Sequence, residues 1–537
     1  MTTLSSLSSL DAVTRLSTAS SLAPSAVAQQ SAPAASSSTA VTLGQSGTVQ
    51  TYSVQSVNAA ASPVWESNST DAVSALMAAN SRTGTLSSRF NGLGAALLNS
   101  LADGGGTYSQ SVLQGTSTGL SDEVAAAATA IRQQSLHTLA DNQMTLSVKT
   151  ASGVAVTITL GSQQNGLAAS IEVADGKTLS DAERKALGAL ADSFQDAVDG
   201  LAAVPPKLAL GGLTQFDSSV LSSVDLQASV QVNGGVQTLS FHADSKNRSV
   251  EFDGPVGTVK VDVDLSDARV FGNDDQRAAA VADYLSQIDD AGRRGHGDAG
   301  LVDLFKDAFA QMNSSYGKAT LPSPVDSRHI ALSERDHSLT SGLADFTASV
   351  KQTATSPNPL RPEEQDTFSF QANQRTEIRG TGMRDRAISQ QQYSHLTASY
   401  HQQIDPDIPM DLQMDPNTQN YYYTQIDDSA SAQVDLGYSD GKLVHAVAQR
   451  SASQSTHTQK FIGAKIVEDT IVPDSATQVE NLLDTLKQDP SSESDPSDMD
   501  LARWQQTMTA LRQRLTLQDT PSILREQGRG HGITSQE

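Results

Sequence analysis

From Leu146 to Val173 the apolar side chains fall on alternate residues within short runs: Leu146 and Val148, then Val154, Val156 and Ile158, then Leu167, Ile171 and Val173, with small polar residues between them. A period of two places one side of a strand in a core and the other in water, so this stretch is confined to a sheet covered on one face. Ala151-Ser152-Gly153 and Asn165-Gly166 supply the turns, glycine allowing the positive φ of a tight hairpin, and a three-stranded meander is predicted. The period then lengthens to 3.6. A helix is predicted from Ser180 to Leu201, opened by a Ser180 and Glu183 capping box, with Leu187, Leu190, Phe194, Ala197, Val198 and Leu201 on one face and Pro205-Pro206 as its stop.

The plan is repeated downstream. Strands are expected around Ala228 to Val232, Val236 to His242, Ser249 to Phe252 and Thr258 to Leu265, joined through Asn233-Gly234-Gly235 and Asp253-Gly254. Helices follow from Asp274 to about Asp289 and through Leu301, Leu304, Phe305, Ala308 and Phe309. Meander then helix, twice, fits either two α+β layers or one sheet extended by a second unit. Upstream, Ala72 to Ala79 and Leu86 to Leu101 read as a helical hairpin, and Ser121 caps a helix from Asp122 to about Ala140.

At 537 residues the chain exceeds the roughly 250 to 300 residues that one hydrophobic core serves, so several units are expected. They are a Ser- and Ala-rich leader over 1–65, an α+β core over 66–316, a linker with a short helix over 317–366, a polar β-hairpin region over 367–472, and C-terminal helices with a loose tail over 473–537. The expected fold class is α+β, antiparallel meanders each followed by a covering helix. In the hairpin region Tyr421-Tyr422-Tyr423 and Val434 to Val447 around Gly441 carry little apolar face. Helices are expected over Ser475 to Lys487 and Leu501 to Leu517, with a loose end after Pro521.

The leader has only Asp11 and Arg15 as charged side chains before Trp65. Small polar residues bury too little apolar area to offset backbone ordering, so disorder is expected there. Leu4, Leu7, Leu10, Val13 and Leu16 recur every third residue and would form one face of a short helix on a binding partner such as an export chaperone. No basic start, continuous apolar middle or paired arginines mark a cleaved signal, whereas uncleaved Ser-rich starts are similar to type III export signals. Cytoplasmic residence and secretion without cleavage both fit.

Charge and composition exclude further classes. A net charge of -24, from 60 acidic and 36 basic residues, repels nucleic-acid backbones and anionic membrane surfaces, and no run of about 20 apolar residues exists to span a bilayer. Without cysteine there can be no disulfide, thiol nucleophile or cysteine-ligated metal, and either redox compartment is compatible.

Several patterns touch chemistry. Gly295, Gly297 and Gly300 spell G-x-G-x-x-G before a helix, but a helix and not a strand precedes them, so a flexible helix–helix connection is expected instead of a dinucleotide site. Gly115-Thr116-Ser117-Thr118-Gly119 matches G-x-S-x-G, yet its helix starts late, the preceding segment is a poor buried strand, and none of the ten histidines is selected as a base for Ser117. His395 and His401 share a strand face, and His329 and His337 fall in a loop; neither pair has zinc-ligand spacing, so all read as surface histidines. Asp405, Asp407, Asp411 and Asp415 are interrupted by Pro406 and Pro409 and lack the glycine of a calcium loop. Asp175-Gly176 with Ser180 and Glu183 is similar to half an EF-hand loop, but of the first ligand positions, Glu172, Ala174 and Gly176, only Glu172 is acidic, and a helix cap accounts for Ser180 and Glu183. Arg293-Arg294 reads as a solvated loop.

Ser87-Ser88-Arg89-Phe90-Asn91-Gly92-Leu93-Gly94, Leu213 to Leu226, Phe241 to Gly254 and Leu301 to Met312 resemble a family of uncharacterised Gram-negative bacterial proteins, over roughly Thr51 to Val350. Some members carry a lactate dehydrogenase label, which implies NAD and a Rossmann fold. The residues here offer neither the strand-led glycine fingerprint nor a His, Asp and Arg set in recognisable spacing, so the resemblance transfers no site residue, cofactor or metal. The function expected is that of a non-enzymatic interaction protein, exported or surface-associated, with an enzyme of unrecognised site, dehydrogenase or serine hydrolase, as the alternative.

Overall fold

The computed structural model describes residues 63–114 apart from 69, 122–316, 330–487, 497–529 and 535–536. The stripe from Leu4 to Leu16, the glycine-flanked Ser117 and His329 therefore lie outside the described residues, as do residues 488–496.

The alternating segments all join one sheet of 16 strands. In chain order these are β1 (Pro63–Trp65), β2 (Tyr108–Gln114), β3 (Asn142–Thr150), β4 (Ala155–Gln163), β5 (Gly166–Val173), β6 (Leu221–Val232), β7 (Gly235–Asp244), β8 (Asn247–Gly254) and β9 (Gly257–Asp264). There follow β10 (Asp345–Gln352), β11 (Thr367–Arg379), β12 (Ala387–Gln403), β13 (Tyr421–Ser439), β14 (Lys442–Ile462), β15 (Lys465–Asn481) and β16 (Ser535–Gln536). The spatial order is β1-β2-β5-β4-β3-β6 and then sequential to β16, and every named pairing is antiparallel. The α+β class is as expected, and of its two variants the extended single sheet is the one formed.

Twelve helices accompany it: α1 (Ala72–Asn80), α2 (Leu86–Phe90), α3 (Leu93–Ala102), α4 (Asp122–Thr138), α5 (Asp181–Gly188), α6 (Ala191–Leu201), α7 (Asp274–Arg294), α8 (Ala299–Met312), α9 (Glu334–Ser338), α10 (Leu483–Leu486), α11 (Asp498–Leu515) and α12 (Pro521–Arg529) among the described residues. Two expected helices are broken. Gly92 at φ 72 separates α2 from α3, and Ala189 and Leu190 separate α5 from α6, while the Ser180–Glu183 capping box forms as read.

One buried row crosses most of the sheet through directly paired residues: Ile171, Ile158, Leu146, Leu226, Phe241, Val250, Val261, Ala348, Ala372, Ser394, Ala430, Ala452 and Ala476. Its side chains shrink from Ile, Leu, Phe and Val to Ala and Ser at the β9–β10 step. On the large-residue half sit α3, α5 and α6, then α8 with Phe305 and Phe309, all in one continuous core. Each such Leu or Phe contributes about 1.5 to 3 kcal/mol by burial. On the small-residue half the cover is thinner, with Leu511 and Leu515 of α11 packing by Val434 and Leu436, and Leu524 of α12 between Ala452 and Ala476.

Four expectations are corrected. The 317–366 span contributes β10 to the middle of the sheet, because Phe346, Ala348 and Val350 alternate inward between β9 and β11. The helix expected over Ser475 to Lys487 is strand as far as Asn481, where Ala476 and Gln478 point inward and pair with Ala452 and Arg450, and helix only over Leu483–Leu486. The tail after Pro521 is ordered as α12 because Leu524 is buried. Tyr108–Gln114, read as a poor strand, has four consecutive buried residues, since α4 lies on the side of the sheet opposite the other helices. Gly161 makes that approach feasible; a Cβ there would stand 2.2 Å from the Leu136 carbonyl oxygen.

Candidate functional site

Where α7 ends, its cover over the sheet stops short of α12, and the gap is a groove of about 620 Å³, a size suited to a small ligand or an inserted side chain. Phe370, Leu396 and Ile426 form an apolar floor, and Arg294, His296, Tyr400, Asp428, Thr456 and Asp519 bring polar atoms to it.

The chain reversal that builds the groove is set by backbone chemistry. Gly297 N–H bonds the Gly292 carbonyl at 3.0 Å and Gly295 N–H bonds that of Ala291 at 2.8 Å, closing α7 with His296 in the left-handed region at φ 53. A non-glycine residue there costs on the order of 1 kcal/mol. The His296 ring is stacked on Tyr400 at 3.8 Å and 15°, which offsets that cost and fixes the imidazole at the rim. Arg294 reaches under the turn: both its Nε and Nη2 meet the buried Asp428 carboxylate, and Nη2 also donates to Thr456 Oγ1 at 3.2 Å. That bidentate bond holds the Arg294 guanidinium above its ordinary range, against desolvation. Asp519 accepts from the Thr520 hydroxyl at 3.1 Å; burial pushes its carboxyl upward, and Asp290 and Asp428 add to the shift. Burial likewise raises the Tyr400 phenol.

The glycine fingerprint is explained by packing. Cβ atoms on Gly295 and Gly297 would come within 2.7 Å and 2.9 Å of the Phe368 ring, so these glycines admit an aromatic side chain, and the connection is a tight turn, not the flexible one expected. The α8 N-terminus, where a phosphate would sit, is capped by the Asp298 carboxylate accepting from Leu301 N–H at 2.9 Å. Arg293-Arg294 closes α7, and Arg294 is bound to a buried partner, which corrects the solvated-loop reading.

The histidines divide. His395 meets Asp427 at 2.8 Å on the uncovered side of the sheet, a surface histidine as expected. His401 is fully buried, with Nδ1 at 2.6 Å from Asp366 and Nε2 at 3.2 Å from Glu364, which also accepts from Tyr421 at 2.5 Å. This set ties the 353–366 segment to β12 and β13 and corrects the surface reading. His337 lies in α9 beside a second groove of about 1130 Å³. There the buried Asp336 is gripped by Arg386 at 2.8 Å and Tyr438 at 2.5 Å.

The carboxylates expected not to form calcium sites serve local turns. Asp405 accepts from Asp407 N–H, Asp411 from Gln413, and Asp415 caps the 3-10 turn Pro416–Thr418. Glu183 accepts from the Ser152 hydroxyl at 2.6 Å and the Ser180 N–H at 2.8 Å, and these bonds hold its carboxyl at about 2. Among the described residues no group of three or more His, Asp or Glu is arranged to hold a metal, and no helix is long and apolar enough to cross a membrane. The parallel sheet of a Rossmann domain is not what these strands form.

The groove unites residues from β11 to β14, the α7 end and the α12 start, and its one local signal is Asp428, a carboxylate on the inward parity of β13 between Ile426 and Ala430. Comparison with family models, with curated proteins and with solved structures finds no match to this chain.

Proposed function

We propose that this chain is an interaction protein that works by binding another polypeptide on the uncovered side of its sheet. The observation that carries the reading is a second continuous row, on the side away from most helices: Thr145, Gln227, Ser240, Glu251, Lys260, Ser349, Gln371, His395, Ser429, Ser453 and Ser475 are directly paired neighbours, and none is buried. Hydroxyl, amide and ionic side chains held on a rigid lattice supply donors and acceptors at fixed spacing with little entropy left to lose. Aromatic anchors are absent from this row, so affinity would come from many polar contacts and from backbone pairing at an edge.

The test is a photo-crosslinking residue placed at Gln371 and, as a buried control, at Ala372 in the producing cell. Adducts with a second polypeptide at 371 and none at 372 are expected; uncrosslinked protein at both positions contradicts the reading. The proposal extends to export without cleavage, with a chaperone on the Leu4-Leu7-Leu10-Val13-Leu16 stripe. Mass spectrometry of culture supernatant from cells making the full chain or one lacking 1–50 checks this, and equal retention of both forms contradicts it.

One observation favours an enzyme or small-ligand reading instead: the groove beside Asp519 joins a carboxyl with raised pKa to an imidazole and a phenol. Saturable binding of a metabolite, lost in Asp519→Asn, would support that alternative.

A further inference from the structure

Among the described residues, the outer edge of β15 is paired with β16 only at Thr477 and Gln478. Across Lys465 to Val472 every residue is exposed, including Ile466 (47%), Val467 (57%), Ile471 (64%) and Val472 (59%). Four β-branched aliphatic residues on an open edge form the arrangement that proteins ordinarily blunt with charge, proline or a covering element, because unpaired N–H and C=O groups recruit another strand. Here Lys465, Glu468 and Asp469 and the register shift at Val467 interrupt the apolar run, and proline enters only at Pro473.

We infer that the Lys465–Val472 edge of β15 accepts an extended strand from a different protein, one with β-branched residues flanking basic residues at its centre. This deepens the proposed binding role and rests on it. The charges weigh against a second copy of this chain. In an antiparallel two-fold pairing every side chain stays on its own face, so opposed residues are an even number apart, and the two registers that overlap most of Lys465 to Val472, centred on Glu468 or on Asp469, set that carboxylate opposite its own copy. Like charges directly opposite destabilise a strand pair. Glu468 has no ion-pair partner among the described residues, and Asp469 is held by His457 at 2.6 Å on the uncovered side. A lysine or arginine across from Glu468 neutralises it, and the net charge of -24 attracts such a segment from a distance. Pro473, which has no N–H, ends the docking register.

The probe is a fluorescein-labelled peptide of about eight residues with two central lysines between threonine and valine pairs, titrated with the full-length protein and read by anisotropy. Saturable binding is expected, weakened at least tenfold in Glu468→Lys/Asp469→Lys, with the charge-reversed peptide preferring that variant. Both side chains are exposed, so unchanged circular dichroism and melting certify the fold. Equal binding of both peptides, or no binding, overturns the inference. So does a dimer by light scattering that Ile471→Lys dissociates, or binding that emerges only after removal of residues 1–62, since the edge would then be taken by a second copy or by this chain itself. Crosslinking at Gln371 with no peptide binding would leave the broader reading standing and remove this one.

Discussion

The two halves of the sheet share antiparallel pairing throughout, yet they are held to their cover by different physics. From β3 to β9 the inward row is Ile, Leu, Phe and Val beneath long apolar helices. From β11 to β15 it is Ala and Ser, and the fasteners are polar: Arg294 with Asp428, Arg386 with Asp336 and Tyr438, His401 with Glu364 and Asp366, and Arg514 of α11 with Glu480. Burial of area tolerates sliding, whereas buried ionic bonds accept one geometry and penalise every other. The first half is therefore the stability reservoir, and the second a thin, orientation-specific platform that leaves more of its surface for partners.

The sharpest break of this comparison is Phe241→Ala, in the middle of the large-residue row. It should cost about 4 kcal/mol, measured by urea denaturation, with a loss under about 1 kcal/mol contradicting a hydrophobic reservoir there. In the polar half, Asp336→Ala leaves the Arg386 guanidinium buried without its carboxylate and should cost about 3 kcal/mol, while Asp336→Leu with Arg386→Met should cost far less. Equal losses in the single and double variants would mean that packing, not charge pairing, holds α9. Next, Ala452→Leu should lift α12 by overpacking against Leu524, at about 2 kcal/mol, and expose the C-terminal region to limited proteolysis.

The last contrast is a pH dependence. Because Glu183 is held at about 2 against an ordinary value of 4.5, its contribution is complete above about pH 4.5 and is lost as pH falls toward about 2. Glu183→Gln should flatten that part of the acid-unfolding curve and leave neutral-pH behaviour of the platform unchanged.

These contrasts also explain what could be read from the residues alone. Strands β3 to β9 were legible because alternation there is between aliphatic and polar residues, with Gly153, Gly166, Gly234 and Gly254 marking turns. In β15 the inward positions are Ala476 and Gln478, so the period-two signal vanishes and the helix-forming composition of Ser475 to Lys487 misleads; only pairing with β14 makes it strand. Strand β10 is one short repeat, Phe346, Ala348 and Val350, inside a span rich in loop residues. The groove was invisible because Arg294, Tyr400, Asp428 and Asp519 meet only through tertiary contact. What was available was the anomaly of polar residues on inward parity, Asp428 in β13 and Arg450 in β14, which marks places where packing is sacrificed to a specific bond.

Residue-resolved hydrogen exchange across β14 and β15 in the isolated protein tests the account most directly. A strand paired on both sides protects every amide, and one paired on a single side protects alternate amides. The account predicts continuous protection along the β14 stretch facing Lys465 to Val472 and alternating protection along Lys465 to Val472 itself. Uniformly slow exchange there would mean the edge is already occupied, and uniformly fast exchange would mean the strand is not formed; either result contradicts an open platform edge.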